Sequence, residues 1–413
     1  MHKNLKNIIY KVYEGIIMII KKIVDFLENS ETGIKFLSFL RSIVKLINFL
    51  IPKKDNQIMF ESIPDFSDNS KALYDYMRCM GRKYEMIWAV NEINDKFDIP
   101  QYKKLSLRQI WEFLRSKYMV TSHGYHLPIK AKNQVFVNLW HGMPLKALSH
   151  VRKDDNFLLD SSNDKNYYLI ATSSVMRNAL AACFNQDPRR IVITGQPRND
   201  KLFKNSNKNL EKLLNVSLND YSKIILFLPT FRKSIEETNG ELISHNFNLA
   251  DFNREVFSQF LQDNQILFIA KFHPFEESIA KPYFKKMDNT ILITNEMLQK
   301  NFMDLYDILS CADILITDYS SVYFDFLLLD KPIIFVVPDL DEYRKRRGFV
   351  LEPFEFWTPG PKVKNFEEFL KELEKCIKNP EYYSKERKTI NNLVNYYKDD
   401  KSSERIYKLV FKG

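Results

Sequence analysis

The residues best suited to chemistry stand in turns that follow short apolar runs. Thr317-Asp318-Tyr319-Ser320-Ser321 lies between the run Ile314 to Thr317 and a helix-like stretch, Ser320 to Leu329. A helix opening there points free N–H groups and a positive dipole end into the crevice where open α/β sheets bind ligands. Asp318, Ser320 or Ser321 can cap that helix, and hydroxyls left over can bind phosphate oxygens. A D-x-S-S sequence also fits a merely well-capped helix. The cations that follow the next apolar run (Ile333 to Val337), namely Arg344, Lys345, Arg346 and Arg347, favour an anion site instead.

Histidines occupy similar turns. Ser122-His123-Gly124-Tyr125-His126 follows Tyr118 to Thr121, and Trp140-His141-Gly142-Met143-Pro144-Leu145-Lys146 follows Val135 to Leu139. Glycine beside histidine frees the backbone and leaves room for a ligand, which singles out His141 between Trp140 and Gly142. Three more polar turns follow apolar runs: Gly195 to Asp200, Pro229 to Lys233, and Lys271-Phe272-His273-Pro274. Around a nucleotide diphosphate, Arg232, Arg347, Lys271 and the Asp318 to Ser321 turn would offset charge on the leaving phosphate. His141 or His273 would take the proton from an attacking hydroxyl. That is transfer from an activated donor to an alcohol, and the spacing alone does not distinguish a sugar from a phosphoryl-linked polyol.

Strands and helices alternate around these turns. Strands are expected at Ile58–Phe60, Met86–Val90, Tyr118–Thr121, Val135–Leu139, Tyr168–Ala171 and Ile191–Thr194, then at Ile224–Leu228, Ile266–Ala270, Ile291–Thr294, Ile314–Thr317 and Ile333–Val337. Helices are expected at Ser70–Met80, Leu107–Arg115, Ser174–Phe184, Leu305–Cys311, Ser320–Leu329, Tyr383–Tyr397 and Ser403–Phe411. This is the rhythm of doubly wound parallel sheets. The polar, Asn-rich stretch 201–220 reads as a linker, giving two α/β halves (55–205 and 206–413) whose strand ends face a common cleft. Neither G-x-G-x-x-G nor G-x-x-x-x-G-K-[ST] occurs, so a standard dinucleotide fold and a P-loop are unsupported.

With 413 residues, 45% hydrophobic and 27% charged, the chain can fill two cores and is not a disordered sequence. Cys79, Cys183, Cys311 and Cys376 lack metal spacing and read as reduced core residues in a cytosolic setting. The net charge of +9 is concentrated in residues 1–54, which hold ten Lys/Arg against four acids. There Asn7 to Glu28 and Gly33 to Ile51 each pattern as a helix with a wide apolar face and a basic rim, the form that lies on an anionic membrane surface. Charges interrupt both too often for a span, and no cleavage site follows. A helical hairpin packed on the rest of the protein is the alternative. A nucleic-acid partner is not expected, since it would need basic residues interleaved with exposed aromatics.

The ordered set FES-x-P-x-F-x-DNS-x-AL-x-x-Y (Phe60 to Tyr76), WHG-x-PLK (Trp140 to Lys146), G-x-PRND (Gly195 to Asp200), LPTFR (Leu228 to Arg232), HP (His273, Pro274), LITDYSS-x-x-FD (Leu315 to Asp325) and a late RG-ending basic segment closely resembles the CDP-glycerol glycerophosphotransferase family of teichoic acid primases and polymerases. The resemblance covers roughly residues 56–350. It implies a glycosyltransferase-B-like fold with an acceptor domain (55–205) and a donor domain (206–413), attached peripherally to the cytoplasmic membrane face by residues 1–54. It further implies transfer of glycerol phosphate from CDP-glycerol to a hydroxyl of a lipid-linked or polymeric acceptor in teichoic acid or capsule-like polymer synthesis, with release of CMP. Carried over by motif, His141 is the expected general base and His273 a second catalytic residue near the diphosphate. Thr230, Arg232, Asp318, Ser320, Ser321 and Arg347 are expected to bind the donor, with Gly142, Lys146 and Arg198 also at the substrate site. No fixed metal or other cofactor is implied, though a divalent cation could accompany the diphosphate, and oligomers are compatible with the sequence. Met143 stands where the family usually has threonine, which is expected to alter the acceptor side. CDP-ribitol or another nucleotide-activated polyol as donor, a glycosyltransferase-B sugar transferase and a silent membrane-bound scaffold are the alternatives; intact histidines and cations disfavour the last. No fused N-terminal glycosyltransferase or tetratricopeptide region is expected.

Overall fold

The structure, a computed structural model, describes residues 31–81, 84–124, 129–152, 166–204, 206–230, 247, 249–284 and 287–411. The expected helix from Asn7 to Glu28 lies outside them. Apolar runs of Ile, Val, Leu and Phe, flanked by helices, form two wholly parallel sheets, as strands buried on both faces should. The first contains β1 (Lys54–Glu61), β2 (Glu85–Val90), β3 (Gln101–Lys103), β4 (Ser116–Thr121), β5 (Val135–Asn138), β6 (Tyr167–Ala171) and β7 (Ile191–Ile193), in the order β3-β2-β1-β4-β5-β6-β7. The second contains β8 (Lys223–Leu228), β9 (Ile266–Ala270), β10 (Thr290–Leu292), β11 (Ile314–Thr317), β12 (Ile333–Val336) and β13 (Lys362–Val363), in the order β10-β9-β8-β11-β12-β13.

Both orders run outward in opposite directions from one point, between β1 and β4 in the first sheet and between β8 and β11 in the second. Connections there leave to opposite faces, and the crevice beyond the strand C-termini is the natural ligand position. The period of two along a strand divides the central second-sheet strands between two cores. Leu226, Leu228, Leu267, Ile269, Leu315, Ile333 and Phe335 enter one cluster. Ile225, Phe227, Phe268, Ile314, Ile316 and Ile334 enter the other. The first cluster also takes Met143, Leu145, Leu169 and Leu180 from the first half, so a continuous apolar core joins the two sheets.

Several elements differ from expectation for local reasons. The 201–220 stretch is folded rather than a simple linker: Pro197–Phe203 is a 3-10 helix, Asn207–Leu214 an α-helix, and Leu210, Leu213 and Leu218 are buried. The 305–311 helix resolves into two 3-10 turns, the first closed by a capping box between Asp304 and Asp307. The helix expected from Ser320 starts at Val322, runs to Phe326 and continues as a 3-10 turn to Leu329. Cys79, the last residue of the Asp68–Cys79 helix, is exposed, whereas Cys183, Cys311 and Cys376 are buried. The C-terminal Ser402–Val410 helix returns to the first sheet, where Ile406 and Tyr407 join Ile58, Phe60 and Trp88 in one cluster.

A helix from Glu31 to Leu50 precedes β1. Its C-terminal end and the residues just after it are docked: Asn48 Nδ2 donates to the Ile129 carbonyl and to Gln134 Oε1, each at 2.8 Å, and Lys53 Nζ donates to the Leu114 carbonyl. Phe39, Ile43, Leu46, Ile47 and Leu50 are exposed along it. Among the described residues, no helix is long and apolar enough to cross a membrane.

Candidate active site

In the second sheet, Asp318 joins the two strand ends that flank the crevice. Its Oδ1 accepts the N–H groups of Thr230 (2.8 Å), just past β8, and of Tyr319 (2.6 Å), just past β11. Thr317 Oγ1 adds a bond to the Leu228 carbonyl at 2.7 Å. Asp318 is thus committed to holding the turn, and it is only 4% exposed. Ser321 precedes the Val322–Phe326 helix but makes no capping bond, so its hydroxyl is not occupied by that helix end. The helix is a single short turn, and the serine hydroxyls rather than a macrodipole are what the turn presents. Thr230 Oγ1 is buried without a hydrogen-bond partner among the described residues.

Arg347 reaches this region through a stack. Tyr319 packs on Tyr343 at 3.9 Å between ring centroids and donates its hydroxyl to Asp339 Oδ1 at 2.9 Å, tying the Leu340–Arg346 helix to the turn. Arg347 caps that helix, and its Nε is buried and unpartnered among the described residues. Its basic neighbours are occupied differently from expectation. Arg344 pairs with Asp341, Glu352 and Glu355, and Arg346 with Glu342, so these two serve carboxylates of the protein.

His273 follows β9, the strand beside β8, so its turn lies on the same sheet edge as Thr230 and Asp318. Burial lowers its pKa, and the charge of Lys271 adds to the effect. Lys271 is itself lowered by burial, against the opposing influence of Glu277, whose Oε1 is 3.7 Å from its ammonium. Arg232 lies outside the described residues.

The first-sheet crevice ends in imidazoles. His123 follows β4, and His141 follows β5; their rings stack at 4.1 Å with 13° between planes, and Trp140 lies 4.2 Å from His141 on centroids. His141 Nδ1 is 3.1 Å from the Ser122 carbonyl, an oxygen that can only accept. Nδ1 therefore carries the ring proton and Nε2 keeps a lone pair free to take one. His141 is exposed as a residue, although the His123 and Trp140 rings pack against its imidazole. Loss of hydration to those neighbours, followed by the charges of His123 and Arg198, holds its pKa well below the usual imidazole range. Burial also lowers His123, whose Nδ1 has no partner among the described residues.

The Asp68-Asn69-Ser70 segment supports these loops. Asp68 adopts a left-handed backbone conformation (φ 62°) and binds Arg198 at 2.9 Å. Asn69 donates to the Trp140 carbonyl at 2.7 Å and accepts the Arg198 N–H, while Ser70 bonds Ser122. Arg198 is 4% exposed, its guanidinium committed to Asp68, to Asp325 and to the His141 carbonyl.

Strand-end turns of the two sheets touch. Gly142 has φ 152°, and a β-carbon there would come within 2.5 Å of Ser321 Oγ. Ala147 N–H donates to the Gly348 carbonyl and Val350 N–H to the Leu145 carbonyl, pairing the loop that carries Lys146 with the segment after Arg347. His141, Gly142, Lys146, Ser321, Arg198 and Arg347 are thus drawn into one neighbourhood from both halves. Met143 is 1% exposed and packs inside the shared core. His123 and Asp325 stood in sequence motifs without an assigned role and Tyr306 was not singled out; the His123–His141 stack and the Asp325 bonds to Arg198 and Tyr306 bring all three to this neighbourhood. Among the described residues, no group of three or more His, Cys, Asp or Glu could hold a metal ion.

Residues 43–412 match the family model described as CDP-Glycerol:Poly(glycerophosphate) glycerophosphotransferase. The teichoic acid poly(glycerol phosphate) polymerase of Bacillus spizizenii is 31% identical over 380 residues, covering 86% of this chain and 90% of that protein. The teichoic acid poly(ribitol-phosphate) polymerase of the same organism is 30% identical, covering 86% of this chain and 56% of that protein. The solved structure of the wall teichoic acid polymerase TagF superposes with a TM-score of 0.73 at 26% identity, covering 90% of this chain and 92% of that one. A match along nearly the whole chain, over the same elements that carry the two crevices, makes this protein a member of the CDP-glycerol:poly(glycerophosphate) glycerophosphotransferase family.

Proposed function

We propose that His141 is the general base in transfer of glycerol phosphate from CDP-glycerol to a hydroxyl of a membrane-linked acceptor. The acceptor oxygen attacks the phosphorus that bears glycerol, forming the new P–O bond as the bond to CMP breaks. CMP leaves with the bonding electron pair, and the acceptor proton passes to His141 Nε2. The carrying observation is the Nδ1 contact with the Ser122 carbonyl, which leaves Nε2 as the proton-accepting atom beside a turn from the opposite half. A base of depressed pKa is neutral, and so competent, at neutral pH.

The donor side falls to the second crevice. Ser320, Ser321 and Thr230 offer hydroxyls to the phosphates, with Arg347 and Arg232 as cations, Lys146 approaching from the facing loop and His273 at the neighbouring strand end. Asp318 acts through the backbone that it fixes, and Arg198 acts through His141 and Asp68. No resident cofactor is proposed; a divalent cation bound to the diphosphate would arrive with the substrate. This reading treats the two sheets as Rossmann-like domains of a glycosyltransferase-B-like fold facing a cleft. It places the product in teichoic acid or a capsule-like polymer. The exposed apolar residues of the Glu31–Leu50 helix, with the basic segment before it, support peripheral attachment to an anionic cytoplasmic membrane face.

CMP release from CDP-glycerol and from CDP-ribitol, with a lipid-linked glycerol phosphate acceptor, tests the donor. Acceptor-dependent release from CDP-glycerol is expected. Release only from CDP-ribitol, or from neither, would overturn the assignment. Deleting residues 1–50 should abolish cosedimentation with phosphatidylglycerol vesicles, and retained cosedimentation would refute the anchor.

A further inference from the structure

We propose that Asp325 and Tyr306, acting with Arg198, form a latch that transmits the position of the donor turn to His141. Asp325 lies four residues beyond Ser321, in the short helix that the turn opens. Both of its oxygens are used: Oδ1 accepts from Asn199 Nδ2 at 2.9 Å, and Oδ2 from Arg198 Nη2 at 2.7 Å and from the Tyr306 hydroxyl at 2.6 Å. The Tyr306 ring also lies under the guanidinium, 4.5 Å from centroid to Cζ. The opposite arm of that guanidinium, Nη1, holds the carbonyl of His141 at 2.9 Å and Asp68 at 2.9 Å. A single rigid fork therefore touches the donor-side helix with one nitrogen and the backbone of the base with the other.

The arrangement does more than tie two halves together. The shared apolar core already does that, and replacing a buried ion pair by apolar side chains commonly costs nothing. What apolar packing cannot supply is direction. The planar guanidinium and the doubly engaged carboxylate fix the angle and register between the Val322–Phe326 helix and the His141 loop. The contact of Gly142 with Ser321 is a second point at which these segments touch. Displacement of the 318–321 turn on loading the phosphates would move Asp325, and through Arg198 the His141 peptide. Tyr306 and Asp325 are thus positioning residues, since neither need touch substrate.

The kinetic part of this proposal rests on the glycerophosphotransferase reading; its exchange part does not. The test compares hydrogen–deuterium exchange and CMP release in the full-length protein and in the Tyr306→Phe and Asp325→Asn variants. Tyr306→Phe removes one hydroxyl and keeps the ring, so it carries the test if Asp325→Asn fails to fold. The expected result is faster exchange of amides 139–147 with those of 224–228 unchanged. The kcat should fall while KM for CDP-glycerol holds, by up to about a hundredfold in Asp325→Asn if the base moves by an ångström. Uniformly faster exchange in both sheets, or a lower melting temperature with kcat intact, would overturn the latch. Local loosening in a protein whose wild type releases no CMP would sustain the latch and overturn the donor assignment.

Discussion

At the β1/β4 crevice the strand ends present a pair of stacked imidazoles, one of them on an exposed residue; at the β8/β11 crevice they present a turn stapled through Asp318, with serine and threonine hydroxyls and an arginine around it. The two sheets have the same strand order outward from these points, so topology placed both crevices alike. The difference lies in how each turn holds its polar groups. In the first, crowding lowers the pKa of the imidazole proposed to take the proton. In the second, an acid is consumed in fixing backbone so that hydroxyls and a cation are held ready for an anion. Under the proposed function, equivalent positions in the fold take opposite halves of one reaction.

The comparison can be broken at several points. Gly142→Ala should have the largest effect, because a methyl group would meet Ser321 Oγ and the backbone conformation favours glycine. A loss of about a hundredfold in kcat/KM is expected, with partial recovery on adding Ser321→Gly. Failure of the second change to recover any activity would place the damage in the backbone alone. Asp318→Ala comes next. It strands the Thr230 and Tyr319 N–H groups, and urea unfolding should report a loss of about 2 kcal/mol. KM for the donor should rise more than kcat falls.

Smaller effects sharpen the first crevice. A base with lowered pKa loses activity as pH falls through that pKa, so the acid limb of kcat/KM should lie below about pH 6.5, the ordinary imidazole value. His123→Phe keeps a ring against His141 but removes a charge that lowers its pKa, moving the limb upward by a fraction of a pH unit. Arg198, Lys146, Asp68, Lys104 and Glu61 also act on the pair and remain in the variant. Met143→Thr should change kcat/KM least. It places a hydroxyl in the shared core, so the melting temperature should fall while acceptor preference holds.

The central strands were legible because parallel strands buried on both faces leave unbroken apolar runs, as in Lys223–Leu228 and Ile333–Val336. The edge strands Gln101–Lys103 and Lys362–Val363 were not, being two or three residues long and largely polar. The strand-end turns were legible as well, since polar clusters after apolar runs resist burial. What those turns do was only partly readable. Asp318 looked like a helix cap, yet its oxygen binds N–H groups from two strand ends that are far apart in sequence. Arg198 was expected at the substrate site, but that its guanidinium engages Asp68, Asp325 and the His141 carbonyl could not be read from the sequence. Met143 was expected to alter the acceptor side; its burial in the shared core depends on a side-chain direction that spacing does not contain. The His123 stack likewise joins two strand ends whose adjacency arises only from the sheet order.

The role of His141 is tested most directly by CMP release from His141→Ala at saturating CDP-glycerol and acceptor, alongside calorimetric binding of CDP-glycerol to the same protein. Turnover should fall by about 10²–10⁴-fold, with donor affinity within a few-fold of wild type. Turnover within about tenfold of wild type, below the usual contribution of a general base, would contradict the assignment of His141 as the base.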